Sequence, residues 1–181
     1  QGRAKDGNYR TDDRIIRLLV MSGIELSNIF PVSISYRINP NDIHIAQELY
    51  VKDLGQEYVK KSGEDISSIK RSLLGNKGFS LSRPGITIVF GNSYRGSSIE
   101  EAASHITQEI QGNFHLYDTH IAAFFALQDY SPQDPLIDYN VLRNMSPLLH
   151  RRVMSVPEEL RYYVLLQYAN PMRNVILAKR N

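Results

Sequence analysis

Apolar and polar residues alternate without a break over Val32-Ser33-Ile34-Ser35-Tyr36-Arg37-Ile38, with the apolar ones on even numbers. That period of two is the signature of a half-buried strand whose even-numbered side faces the core. Upstream, Thr11-Asp12-Asp13 supplies a cap and early acids for a helix carrying Ile15, Ile16, Leu18, Leu19 and Val20, expected to stop near Gly23. Downstream, Asn39-Pro40-Asn41-Asp42 has turn and cap chemistry, and Ile43, Ala46, Leu49, Tyr50, Leu54 and Tyr58 follow at helical spacing. The spacing predicts a helix over about 42–61. Ser62-Gly63 breaks it, and Ile66, Ile69, Leu73 and Leu74 mark a shorter helix closed by Gly75. A loop follows over 76–84, with a short strand at Phe79 to Leu81 as an option.

The run from Pro84 to Gln111 reads as strand, tight turn, helix. Ile86-Thr87-Ile88-Val89-Phe90 is the strand and Gly91-Asn92-Ser93-Tyr94-Arg95-Gly96 the turn. Ser97 and Glu100 form a capping box for a helix with Ile99, Ala102, Ala103, Ile106 and Ile110 on one face, stopped by Gly112. Phe114-His115-Leu116-Tyr117 is a candidate third strand. Residues 121–127 are apolar nearly all round and so would be buried if helical. The loop over 129–135, with its two prolines, is the best place for any internal boundary. Helices are expected over 136–144, over 147–154 and after Ser155, the last with a Ser155–Glu158 capping box and Leu160, Tyr163, Val164 and Gln167 or Tyr168 inward. Asn170-Pro171 should end it, leaving Val175-Ile176-Leu177 as a closing strand or a last apolar turn.

These elements predict a helix-rich α+β or α/β single domain over 11–181, with a small central sheet of about three strands, preceded by a flexible or tag-derived N-terminus over 1–10. Composition narrows the setting. The 181 residues are 42% hydrophobic and 22% charged, and no apolar stretch reaches the roughly 18 residues of a membrane span. A soluble chain without membrane insertion is therefore expected. The absence of cysteine removes disulfides, thiolate catalysis and sulfur metal sites, and favours a cytoplasmic or otherwise reducing location.

The net charge of +2 conceals a division along the chain. Residues 96–142 contain no lysine or arginine and seven acids, Glu100, Glu101, Glu109, Asp118, Asp129, Asp134 and Asp138, so the remainder carries +9. From Arg143 onward, seven basic residues face only Glu158 and Glu159. Arg151, Arg152 and Arg161, interleaved with Tyr162, Tyr163 and Tyr168, are the residue types of protein-interface hot spots. Without a nucleic-acid motif and with a pI of about 8.8, a protein partner is favoured over nucleic acid.

Ser93, on a strand-to-helix turn, is the candidate nucleophile, with Asp118 and His120 as its acid and base. Phe90-Gly91-Asn92-Ser93 resembles the first block of the SGNH esterase family, and Asp118-Thr119-His120 its acid and base block. The resemblance implies an esterase-type hydrolase, although Ser93 lies mid-chain and Asp118 precedes His120 by two residues where the family has three. Tyr36-Arg37 on a strand resembles the dinucleotide-holding arginine of ADP-ribosyltransferases. That family's Glu-x-Glu pair is missing here, leaving only Asp134 and Asp138 as late acids. Arg95 beside a helix N-terminus is a candidate anion binder, although Glu100 and Glu101 already occupy that positive end.

His115, Asp118 and His120 cannot converge on a metal from one strand or one helix, so no metal site and no cofactor are expected. The leading expectation is a non-enzymatic protein-interaction domain with a charge-polarised surface, meeting its partner through Arg37, Arg95, Arg151, Arg152 and Arg161. The alternative is a small hydrolase or transferase centred on Ser93.

Overall fold

The computed structural model describes residues 13–55, 85–129 and 135–178. The expected helix at Ile66 to Leu74, the optional strand at Phe79 to Leu81, the extension of the 42–61 helix beyond residue 55, Asp134 and the N-terminal ten residues lie outside them. Among the described residues the order is α1 (Asp13–Met21), a 3-10 turn (Leu26–Asn28), β1 (Val32–Tyr36), α2 (Asp42–Asp53), β2 (Ile86–Phe90), α3 (Ile99–Gly112), α4 (Asp118–Ala126), α5 (Tyr139–Met145), α6 (Pro147–Met154) and α7 (Glu158–Ala178). This is a helix-rich α+β arrangement.

The centre of the fold is α7, against which α2, α3, α4 and α6 all pack. It buries residues on every side, Leu160, Tyr163, Val164, Leu165, Tyr168 and Ala169 among them. Facing it, α4 offers Ala122, Ala123 and Ala126, all fully buried, and α5 and α6 add Leu142, Leu149 and Val153. The small side chains of α4 let the two helix backbones approach closely, and each buried Leu or Val contributes about 1.5–3 kcal/mol. A smaller cluster joins α1 to α3 through Ile16, Ala103 and Ile106.

Three punctuation signals act differently from the sequence expectation. Pro171 does not end the last helix. It lies inside α7, which runs on through Val175 to Ala178. A proline inside a helix costs about 3 kcal/mol, and here burial offsets it, since Asn170, Pro171, Asn174 and Val175 are all packed away. Ser155 closes α6 rather than opening α7: its hydroxyl donates to the Arg152 carbonyl at 2.7 Å. The cap of α3 sits one residue later than expected, with Ser98 Oγ accepting from Glu101 N at 3.2 Å.

Among the described residues the sheet has two strands, not about three. β1 and β2 pair antiparallel with Val32 opposite Phe90, Ile34 opposite Ile88 and Tyr36 opposite Ile86. Residues 114–117 approach β1 without joining its ladder, because the His115 amide donates to the Ser35 hydroxyl at 2.9 Å. A side chain takes the hydrogen bond that a third strand would have given to backbone. The alternation in β1 is also inverted relative to expectation: Ser33 and Ser35 are buried, while Val32, Ile34 and Tyr36 face outward.

Candidate functional site

The turn after β2 is tied down by its own helix. Gly91 N donates to Pro31 O at 2.8 Å, Asn92 N donates to Glu109 Oε2 at 2.7 Å, and His105 Nε2 lies 2.9 Å from Asn92 O. A Cβ at Gly91 would lie 2.6 Å from Glu109 Oε2 and 3.0 Å from Pro31 Cγ, so a side chain there would push the Glu109 carboxylate away from the Asn92 amide. Tyr94 donates to Glu101, and Arg17 of α1 pairs with Glu100. The N-terminus of α3 is thus occupied by Ser98 and by its own acids, the arrangement that competes with a free anion. Ser93 is half-buried in this turn.

Asp118 and His120 are turned to other partners. Arg37 Nε and Nη2 grip Asp118 Oδ1 and Oδ2 at 2.7 and 3.0 Å, and Ser146 Oγ donates to Asp118 Oδ2 at 3.0 Å. Burial works to raise the Asp118 pKa, but the hydrogen bonds from Arg37 and Ser146 overcome it and hold the carboxyl below its ordinary value. His120 is buried, and its Nδ1 accepts the Tyr117 amide at 3.0 Å. Its ring packs against Phe114, Tyr117 and Tyr168. Burial lowers its pKa to about 4, with Asp118 opposing the shift and His115 adding to it, so the ring is neutral at pH 7. Among the described residues no hydrogen bond joins Ser93 to Asp118 or His120, and no group of three His, Asp or Glu converges as a metal site requires.

These contacts belong to the polar inner face of the sheet. Besides Ser35 and Arg37, Thr87 Oγ1 meets the Tyr117 hydroxyl at 2.6 Å, and Thr119 Oγ1 donates to Arg37 O at 2.7 Å. One side of β1–β2 is therefore bonded to the segment 115–119.

The arginines named as partner-binding candidates divide. Arg152 is committed within the chain: its Nε lies 3.1 Å from both Asp42 carboxylate oxygens and its Nη2 2.5 Å from Oδ1. The same carboxylate, fully buried, accepts from the Tyr168 hydroxyl at 2.7 Å. Arg37 is held by Asp118, and Arg161 is half-buried with its guanidinium carbon 5.9 Å from the Tyr139 ring centre. Arg95 and Arg151 stand exposed.

The feature that sequence reasoning missed lies on the other side of the sheet. Val32, Ile34, Tyr36, Ile86, Ile88 and Phe90 share its outer face with exposures of 37, 38, 36, 50, 55 and 74%. The main-chain bonds of Arg37 to Gly85 and of Gly91 to Pro31 make the odd-numbered β1 positions the hydrogen-bonded pairs. The three outward pairs are accordingly the close, non-hydrogen-bonded ones, whose side chains touch. Six large apolar groups thus form one contiguous patch without a charge among them. The alternation put Val32, Ile34 and Tyr36 on one side of β1, but its direction was hidden, because the Ser35 hydroxyl on the polar side finds its partner some 80 residues away.

No family model, curated protein or solved structure matches the chain.

Proposed function

We propose that this chain is a non-enzymatic protein-interaction domain that docks through the apolar outer face of β1–β2. The single observation behind the proposal is the six-residue patch around the Ile34–Ile88 pair. Isolated surface aliphatics are ordinary, but contiguous patches of this kind on folded chains mark contact surfaces. A two-stranded sheet is marginal alone and is normally covered on its apolar side by another layer. Here the covered side is the polar one.

The charge asymmetry fits the same role. Residues 96–142 hold seven acids and no lysine or arginine, against an excess of base elsewhere, and such fields orient a partner during approach while apolar contact supplies the affinity. Arg95 and Arg151 are the candidate arginines exposed to act in that way.

The reading is tested by placing charge on the patch. At a concentration low enough for the chain to be monomeric, an Ile86→Lys, Phe90→Lys double variant should keep the wild-type circular dichroism spectrum and melt within a few degrees of it, while losing the binding of an apolar dye such as anilinonaphthalene sulfonate. A steep fall in melting temperature would show that the face is covered inside the fold and would overturn the proposal.

A further inference from the structure

Resting on that reading of the sheet face, we infer that its partner is a second copy of this chain: two outer faces pack together across a two-fold axis passing near the Ile34–Ile88 pair. At the exposures observed, the six side chains offer about 600 Å², the upper end of what a monomer surface carries in one patch. Two such faces bury about 1,200 Å², the lower end of the range for specific interfaces.

The face also meets the demand that symmetry makes. A two-fold interface places the same surface of each copy against the other, so a charge close to the axis would be set against its own kind. None of Val32, Ile34, Tyr36, Ile86, Ile88 and Phe90 is charged, and the central pair is isoleucine on isoleucine. Sheets stack face to face at about 10 Å with strands within about 30° of each other, an arrangement open to two short twisted ribbons. The outcome is a four-stranded, two-layer sandwich with an aliphatic centre, whose two polar faces remain bonded to their own residues 115–119.

The lack of cysteine makes the geometry testable with a single introduced thiol. Ile88→Cys, close to the axis, should be linked to its copy by a short bismaleimide, because facing Cα atoms in sheets about 10 Å apart lie beyond a direct S–S bond but within the span of such a linker. Leu177→Cys, exposed on α7, should not. Sedimentation of the cysteine-free chain should show a mass rising from one copy to two with concentration, and Ile88→Lys or Phe90→Lys should remain monomeric with unchanged circular dichroism.

A wild type that stays monomeric up to its solubility limit overturns the dimer. If that monomer binds the apolar dye and Ile88→Lys abolishes the binding, the interaction surface stands and only its partner differs. If instead Ile88→Lys and Phe90→Lys both unfold the monomer, the face is covered within the chain and both readings fall. A dimer that survives both lysine substitutions overturns the sheet face as its interface.

Discussion

Arg37 and Asp118, 81 residues apart in the chain, meet through two hydrogen bonds of 2.7 and 3.0 Å, and so fix the residue after β1 to the first turn of α4. The pair is shared further: Asp118 also accepts from Ser146, and the Arg37 carbonyl accepts from Thr119. Three elements are registered against one another by two side chains. The sheet is oriented by this junction, which draws the polar side of β1 inward and leaves the aliphatic side out.

Asp118→Asn should therefore lower stability at pH 7 by about 1 kcal/mol. The figure is modest because the Arg37 and Asp118 side chains are 41 and 33% exposed, and exposed ion pairs are well screened. The folded carboxyl titrates below its unfolded value, so its contribution is complete above the unfolded pKa of about 3.9 and is lost as pH falls through the folded one. Urea midpoints of wild type and variant should differ at pH 7 and converge as the pH falls through the folded carboxyl's lowered pKa. Equal midpoints at pH 7 would mean the pair contributes nothing.

His120 makes a second, separate pH window. Its pKa falls from 6.5 to about 4 in the fold, so between those values the unfolded chain binds the proton that the folded chain refuses. Stability should fall as pH drops through this window, by about 3 kcal/mol in all. His120→Asn keeps an acceptor for the Tyr117 amide and removes the titration. Its stability should be flat over the part of the profile that slopes in wild type, and an unchanged slope would assign the effect to another group.

The helix around Ile99 to Ile110 and the strand Val32 to Tyr36 were legible in the sequence because each has a local period and local stops. Pro171 was misread because what offsets its cost is its full burial in the packed fold, which a local reading of Asn170-Pro171 does not show. Asp118 and His120 looked like an acid and base because spacing is local, whereas Arg37, Ser146 and Phe114, which occupy them, come from other segments. The direction of the sheet was hidden for the same reason: a serine facing inward is costly only when no partner waits there, and Ser35 has His115.

Asp42 and Arg152 carry the largest single-site cost expected here. Asp42 is fully buried and holds Arg152, Tyr168 and its own helix together. Arg152→Ala leaves a buried carboxylate with the Tyr168 hydroxyl and the Ile43 amide as its remaining donors, and should cost about 3–5 kcal/mol. Adding Asp42→Ala to it should cost much less than the sum of the two single effects, since the stranded charge is then gone. Additive effects in denaturant unfolding would show that the two side chains are not coupled.

Ser33 and Ser35 give the sharpest contrast. Both are buried on the inner side of β1, at 2 and 0% exposure. The Ser35 hydroxyl accepts the His115 amide at 2.9 Å, whereas the Ser33 hydroxyl, fully buried, has no hydrogen-bond partner among the described residues. Ser35→Ala strands an amide and should cost about 1–3 kcal/mol, while Ser33→Ala removes an unsatisfied hydroxyl and should be neutral or stabilising by up to about 1 kcal/mol. Two substitutions of identical chemistry, two residues apart on one strand face, should then move the unfolding midpoint in different directions. Equal losses at both positions would mean that volume rather than hydrogen bonding sets the cost, and that the polar face is held by packing alone.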